Sequence, residues 1–460
     1  MIKEVSRGFV LIEAILAGAL LVLVISTFVI AAISGQESLA VSGKRNRAIL
    51  LAQEGLEATR NIHDEGFANL GDGAHGLAIV GNQWSFSGTQ DSTDAFTRQI
   101  TIAPVNDTTK DIASTITWQQ NAQRPGTVTL TTRMTNWLAS VISWLNPFKQ
   151  SSLNVSGTED GIKVQWSGNY AYVVRANGSP DFVVVDISNP ANPTVAASLT
   201  LTGNPKNIAI SGSYAYIAST ADSQELQIID ISTPTSPTVV GTYNASNGAN
   251  AQGVFAVGST IYLVRESSSS DELIIINAAN PASPTLLGSL NLSATGFEIA
   301  AIGNRAYVAS GHNTQELQII DITAPAVPSL IGSFDLPGNT DALTIAGFGT
   351  AVLMGQGNTL YIMNVANSAI PSTFGTTNVS GTVNDLSLGT ANTLVFAGTA
   401  AGNAELAVVD IADLTNSSII GTVNISSNST INGVAYDELH NKTYGVSNLN
   451  AEEFMVFAAP

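Results

Sequence analysis

The sequence predicts a multidomain fold: a long N-terminal α-helix with a small antiparallel β head, then an all-β, seven-bladed propeller. Three observations predict it. An apolar run covers residues 9–33, close to the N-terminus. Short alternating strand patterns follow residue 63. A phrase then recurs at intervals of 43 to 47 residues, which is the length of a four-stranded propeller blade.

Composition limits the possible functions. The chain of 460 residues is too long for one ordinary core. It contains no cysteine, which excludes disulfides, thiolate metal sites and a cysteine nucleophile. Residues 1–150 hold 11 Lys and Arg against 12 Asp and Glu, whereas residues 151–460 hold 6 against 23. The second part therefore repels nucleic acid and attracts cations or basic partners, so no nucleic-acid partner is predicted.

The N-terminus combines a short basic leader with a long apolar segment. Residues 1–8 are polar and include Lys3 and Arg7, and the run from Phe9 to Ile33 follows. As a helix this run would be about 37 Å long, enough to cross a bilayer. Lys3 and Arg7 would stay in the cytoplasm, and the rest of the chain would be exported. Glu13 is the only ionisable residue of the run, and a carboxylate in lipid is costly without a partner.

The junction Gly8-Phe9-Val10-Leu11-Ile12-Glu13 resembles that of type IV prepilins, which have Thr where this chain has Val10. The resemblance implies that prepilin peptidase cuts between Gly8 and Phe9, and that Phe9 becomes N-methylated. It also implies that the helix packs against other pilins, with Glu13 neutralising the terminal ammonium of a neighbouring subunit. A plain membrane anchor is the alternative.

Residues 9–62 are predicted to form the pilin helix, and residues 63–137 the β head. Alternating patterns predict about four strands, at Trp84 to Thr89, Phe96 to Val105, Ile112 to Gln119 and Val128 to Trp137. Their buried face is expected to cover the second half of the helix. This region resembles minor pilins of the pilus-modification type. Residues 138–150 are predicted to form a linker helix, because Leu138, Val141, Ile142 and Leu145 share one helical face before Asn146-Pro147.

Repetition predicts a propeller over residues 151–460. The phrase from Asp181 to Thr194 is repeated almost unchanged from Glu225 to Thr238, and shorter forms follow. An acidic or amide residue ends each phrase's strand, at Asp186, Asp230, Asn277, Asp321, Asn364 and Asp410. These repeats resemble the bacterial surface propellers whose blades carry a Leu-Val-Ile-Val-Asp phrase.

The ends of the propeller region predict how the ring closes. Seven inner hairpins begin near Val164, Ile208, Val254, Ile299, Leu343, Leu386 and Val434. The last unit, ending at Glu453 to Ala458, lacks a fourth strand, whereas Ser152 to Ser156 precedes the first hairpin as an unassigned strand. We expect that early strand to complete the seventh blade, which leaves no open sheet edge.

The repeated Asp and Asn residues invite two interpretations. A carboxylate before Ser/Thr-x-Pro can accept backbone N–H bonds and fix a turn, and its recurrence favours that structural role over a metal or catalytic site. The acidic loops lack the spacing of a calcium loop. His63, His75, His312 and His440 are scattered, without metal-ligand spacing. No enzyme activity, cofactor or metal is predicted.

These observations favour a minor pilin of a type IV pilus that presents a propeller for adhesion or protein-partner binding. The precursor would be inserted in the cytoplasmic membrane by one span and would become extracellular in the pilus. Its partners would be other pilins, prepilin peptidase and an unknown surface or protein ligand. The alternatives are a pseudopilin of a type II-like secretion system and a membrane-tethered propeller with hydrolase or lyase activity.

Overall fold

The computed structural model describes residues 26, 42–64, 66–81, 83–106, 109–121, 124–136, 144–155, 157, 159–176, 178–426 and 429–460. The chain divides into two compact units, Met1–Asn136 and Trp137–Pro460. Apart from Ser26, the predicted leader and apolar run lie outside the described residues. Within the described ranges, no helix combines the length and the apolar character needed to span a membrane.

The described part of the first unit contains one α-helix, α1 (residues 42–64), a 3-10 turn at Phe67–Asn69 and seven strands. The strands are β1 (Gly73–His75), β2 (Leu77–Val80), β3 (Gln83–Phe86), β4 (Asp91–Thr93), β5 (Phe96–Asn106), β6 (Thr109–Asn121) and β7 (Arg124–Thr135). The sheet order is β1-β5-β6-β7, with β4 also on β5, and β2 pairs with β3 separately. The four predicted strands are therefore present with shifted ends, and β1, β2 and β4 were missed.

Helix α1 packs one face on this sheet, as predicted. Its first half contributes Ala48, Leu51 and Ala52 to a cluster with Ile116 and Trp118. Its second half contributes Ala58 and Ile62 to a further cluster, with Ile100, Ile102 and Ile112. Alternation along β5 and β6 places these apolar side chains on the face toward the helix.

The described residues of the second unit form seven antiparallel sheets of four strands each, the blades. Blades 1 and 2 comprise β9 to β12 (Gly161–Ser167, Tyr170–Arg175, Phe182–Asp186, Thr194–Leu199) and β13 to β16 (Pro205–Ser211, Tyr214–Ser219, Leu226–Asp230, Thr238–Tyr243). Blades 3 and 4 comprise β17 to β20 (Ala251–Val257, Thr260–Arg265, Leu273–Asn277, Thr285–Leu290) and β21 to β24 (Gly296–Ile302, Arg305–Ser310, Leu317–Asp321, Ser329–Phe334).

Blades 5 and 6 comprise β25 to β28 (Ala342–Phe348, Ala351–Gln356, Thr359–Asn364, Ser372–Asn378) and β29 to β32 (Val383–Leu388, Leu394–Thr399, Leu406–Asp410, Ser418–Val423). A 3-10 turn, Thr390–Asn392, lies between β29 and β30. Blade 7 comprises β33 (Ile431–Asp437), β34 (Lys442–Ser447), β35 (Phe454–Ala458) and β8 (Phe148–Leu153). The inner strands β9, β13, β17, β21, β25, β29 and β33 contact one another in that order, and β33 returns to β9. The sheets therefore close a ring, as a propeller requires.

Blade 7 is completed from both ends of the ring. β8 pairs antiparallel with β35, Leu153 opposite Phe454 and Phe148 opposite Ala458. The predicted closure is confirmed, although the closing strand begins at Phe148 rather than Ser152.

The predicted linker helix over 138–150 is wrong for its described part, because residues 144–147 form a turn and 148–150 are strand. Residues 138–143 lie outside the described ranges. The reason is Pro147, which cannot continue a helix and instead precedes an outer strand, as Pro193 and Pro237 do in blades 1 and 2.

Trp144 fixes the start of β8 at the junction of blades 6 and 7. Its indole is buried and lies edge-on to Phe396, at 4.6 Å between ring centroids. Its Nε1 donates to Asn441 Oδ1 at 3.1 Å, and the Tyr436 hydroxyl donates to the same atom at 2.9 Å. The turn between β33 and β34 thus holds the segment that leads into the closing strand.

Candidate functional site

A recurring β-bulge directs the third residue of each inner strand toward the central channel. In every blade the pairing of the inner strand with its neighbour skips a residue between the first and third positions. Such a bulge re-aims the side chain beside it. The third residues of the inner strands, which we call the polar layer, are Lys163, Asn207, Gly253, Glu298, Thr344, Asp385 and Gly433.

Three charged members of the polar layer meet across the ring. Lys163 Nζ of blade 1 lies 2.8 Å from Glu298 Oε1 of blade 4 and 2.6 Å from Asp385 Oδ1 of blade 6. Only 13% of the Lys163 side chain, 14% of Glu298 and 8% of Asp385 are exposed. The ion pairs therefore link three blades across the channel.

The two carboxylates also accept hydrogen bonds from a side-chain amide and from backbone N–H groups of other blades. Glu298 Oε1 accepts from Asn207 Nδ2 at 3.1 Å, and Oε2 accepts from the Ile345 N–H at 3.0 Å. Asp385 Oδ2 accepts from the Val434 N–H at 2.8 Å. Because the inner strand has no further strand on its channel side, N–H groups facing the channel need such side-chain partners.

Burial and charge act in opposite directions on these groups. Burial raises the pKa of Asp385 to about 6, although the Lys163 charge opposes this shift. For Glu298, burial also favours the neutral form, but the charge and hydrogen bond of Lys163 outweigh it and lower the pKa. Burial would lower the pKa of Lys163, yet the two carboxylates together raise it above its usual value. With all three groups ionised, the layer carries one excess negative charge.

A cavity of about 330 Å3 lies against the polar layer, and we call it the channel cavity. Its walls come from the third to sixth residues of the inner strands and none come from the first two. It therefore lies on the side where the inner strands turn into the second strands. The fifth residues are mostly small, with Ala209, Ala300 and Ala346 beside Phe255, and Gln165 and Ser387 add polar groups.

The predicted turn residues lie in separate turns, one in each of blades 1 to 6. Each side-chain Oδ1 accepts from the backbone N–H two residues further on, at 2.8 to 3.0 Å, in Asp186, Asp230, Asn277, Asp321, Asn364 and Asp410. Hydrogen bonds from Ser232 and Thr323 lower the pKa of Asp230 and Asp321. The geometry is that of a turn-fixing acceptor.

A second set of carboxylates was given no role by the sequence. One buried acid precedes the third strand in six blades, at Asp181, Glu225, Glu272, Glu316, Glu405 and Glu453. In the first five, it accepts the backbone N–H twenty residues further on, at 2.7 to 3.0 Å. Glu453 instead accepts from the Val155 N–H at 3.2 Å, and this bond joins the two ends of the ring. Their recurrence after Gly, Ser or Asn-rich loops is the signal that could have revealed them.

The residues of the predicted processing site, Lys3, Arg7, Gly8, Phe9 and Glu13, lie outside the described residues. The four histidines belong to separate surroundings, with His440 Nδ1 2.6 Å from Asp437 Oδ2. In the part of the chain that the structure describes, no group of three or more His, Asp or Glu residues could hold a metal ion.

Comparison with known proteins identifies the repeats. The LVIVD repeat matches residues 159–200, 202–245, 297–336 and 396–425. No curated protein matches the chain. A chain of a structure titled Crystal Structure of Mitotic Checkpoint Complex is 12% identical with a TM-score of 0.54, covering 68% of this chain and 92% of that one.

A second solved structure, the computationally designed Ika8 protein, is 10% identical with a TM-score of 0.47, covering 67% of this chain and 99% of that one. The identities are so low that the Mitotic Checkpoint Complex match supports the fold alone. The repeats, with the seven closed sheets, make this an LVIVD-repeat, β-propeller-like protein, as the repeated phrase predicted. The prepilin resemblance stays a prediction.

Proposed function

Because the second unit is a propeller with LVIVD repeats, we propose that it is the binding module of a minor type IV pilus subunit. The observation that carries the proposal is the order of parts along the chain. The motif from Gly8 to Glu13 opens an apolar run, helix α1 follows with one face on a β-sheet, and the propeller comes last. A pilin-like subunit needs a helix for the filament and a head that covers the rest of that helix.

The size of the propeller supports occasional rather than regular incorporation. A compact body of residues 151–460 would have a radius of gyration of about 20 Å. Such a body on every subunit would crowd a filament, whereas a few copies at the tip or side would not. The acidic charge of this region keeps it soluble and attracts basic partners, in agreement with a binding role.

Mass spectrometry and immunogold microscopy of sheared surface filaments would test the proposal. We expect a mature N-terminus of methylated Phe9, with sparse gold along or at the tips of filaments. An intact Met1 with label confined to the cell membrane would contradict it and would favour a tethered propeller. Finding this chain as the dominant filament subunit would contradict the minor role.

Variants at the cleavage junction give a matched test of processing. Replacing Gly8 by Val should abolish cleavage, because the resemblance places the cut directly after this small residue. Val10→Thr restores the residue common in the family and should leave cleavage unchanged. Precursor and mature forms differ by residues 1–8, so their masses measure the result directly. Equal processing of both variants would remove the support that the motif gives.

A further inference from the structure

The channel cavity has a charged floor that its own residues do not neutralise. Glu298 and Asp385 both line the cavity, and one ammonium, that of Lys163, lies between them. A buried net charge is unfavourable unless a partner compensates it. The floor is therefore suited to a ligand group of positive charge.

Asp385 has the greater capacity to accept such a ligand. Its oxygens accept from Lys163 and from the Val434 N–H in the described hydrogen bonds, whereas a carboxylate offers about four acceptor positions. Glu298 already accepts from Lys163, Asn207 and Ile345. An entering donor would thus bond to Asp385, with Glu298 adding charge.

The walls of the cavity leave room for an aliphatic stem above that charge, and they also offer polar groups at Gln165 and Ser387. Ala209, Ala300 and Ala346 leave room near the axis, and Phe255 adds an apolar surface. A divalent metal ion fits less well, because Ca2+ takes six to eight oxygen ligands and Lys163 occupies the space between the carboxylates.

The surrounding field favours the same ligand. Residues 151–460 contain 23 acidic against 6 basic residues. The turn carboxylates Asp186, Asp230 and Asp410 end third strands at the same end of the blades as the cavity, since Asp186 pairs with Tyr170 and Asp230 with Tyr214. Like charges around a cleft raise the local concentration of oppositely charged ligands.

We propose that the channel cavity binds a primary ammonium on an aliphatic stem, with Asp385 as its main counter-charge and Glu298 as the second. A lysine side chain of a partner protein and a free alkylamine share this chemistry. The inference rests on the binding role proposed above and adds a ligand class to it. Its test uses purified protein, so it can fail while filament localisation stands, and the reverse also holds.

Isothermal titration of the purified full-length chain tests the ligand class. The probes are Nα-acetyl-lysine N-methylamide, its neutral Nε-acetylated form, cadaverine and CaCl2. We expect the lysine probe to bind at least tenfold more tightly than the acetylated probe. If the lysine probe binds more tightly than cadaverine, the ligand is a lysine side chain of a polypeptide. If cadaverine binds more tightly, the ligand is a free amine. Equal binding of charged and acetylated probes, tighter binding of Ca2+, or no binding would overturn the proposal.

Two variants locate the binding in the cavity. Asp385→Asn should weaken binding of the lysine probe at least tenfold, since it removes the main counter-charge. Ala346→Leu adds bulk to the cavity wall, leaves Lys163, Glu298 and Asp385 unaltered, and should abolish binding. This variant tests the location of the site even if Asp385→Asn fails to fold. Val239→Leu, at an exposed position of an outer strand, is the control and should bind as the unaltered chain does. Binding that survives Ala346→Leu would place the site elsewhere.

Discussion

Asp385 couples the stability of the propeller to pH. Its pKa rises from the usual 3.8 to about 6 in the folded chain. Between these values the folded chain holds a proton that the unfolded chain releases. The stabilisation by this group is therefore complete below pH 4 and is lost as the pH rises through 6. Two pKa units correspond to at most about 3 kcal/mol.

Asp385→Asn should remove this dependence. The free energy of unfolding of the variant, relative to that of the unaltered chain, should be higher at pH 7.5 than at pH 4.5. Urea unfolding at both pH values measures it. Asp321→Asn is the control that should not respond in this pH range, because hydrogen bonds from Thr323 lower the pKa of the exposed Asp321 below its usual 3.8. Asp321 is therefore ionised in both the folded and the unfolded chain from pH 4.5 to 7.5, so its removal should cost the same at both values. An identical pH response of all three chains would contradict this account of Asp385.

The buried acid Glu316 should stabilise blade 4 through one backbone bond. Glu316 Oε2 accepts from the Leu336 N–H at 2.9 Å. Glu316→Ala leaves that donor without its partner, which costs about 1–3 kcal/mol of unfolding free energy. Glu316→Gln keeps an acceptor of the same shape and should cost less. Chemical denaturation of the two variants measures the difference, and equal losses would show that the bond contributes little.

The residues differ in how well the sequence reveals them. The turn position from Asp186 to Asp410 carries Asp or Asn six times, so repetition alone marks it. The polar layer carries seven residues of six kinds, and repetition gives no signal there. Its ion pairs join residues 135 and 222 positions apart, which become neighbours only when the ring closes. No local pattern encodes that contact.

At the scale of elements, most strands followed from local patterns, but β1, β2, β4 and the segment before β8 did not. Leu138, Val141, Ile142 and Leu145 repeat at helical spacing, and the helix predicted from them is wrong from residue 144 onward. Tertiary contacts decide the outcome there, because Trp144 is buried beside Phe396 and Tyr436. The Pro before the outer strand, which Pro147 shares with other blades, was the better guide.

The glycine of the outer strand permits neighbouring blades to pack. A Cβ on Gly241 of β16 would overlap the carbonyl oxygen of Pro281, in the turn of the next blade. Gly241→Ala should therefore lower the thermal midpoint, with a cost of about 1–3 kcal/mol for overpacking. Gly402→Ala is the control, since a Cβ at Gly402 meets nothing within 4 Å. Equal midpoints in calorimetry would show that the blades can shift without cost.

At the scale of the whole molecule, repetition was enough to predict the seven blades and their closure. Seven inner hairpins, one unassigned strand before them and a last unit without its fourth strand leave few arrangements, because an open sheet edge is unfavourable. The sequence could not predict how the first unit and the ring serve one function, since fold alone carries no ligand.

The closing strand should decide whether the ring is stable. All five residues of β35 are buried, and the strand pairs with β34 and with β8. Burying each large apolar side chain contributes about 1.5–3 kcal/mol. Phe454, Met455, Val456 and Phe457 together thus match a typical domain stability of about 5–15 kcal/mol. Deleting residues 454–460 should therefore abolish the cooperative melting transition of the propeller in circular dichroism.

Deleting only Ala459 and Pro460, which follow β35, is the matched control and should preserve that transition. Glu453, which accepts from the Val155 N–H in the full chain, remains in both truncated chains. The difference between the two deletions consequently measures β35 itself. A propeller that melted cooperatively without β35 would show that six blades and an open seventh suffice, and that closure by the two ends is not what holds the ring together.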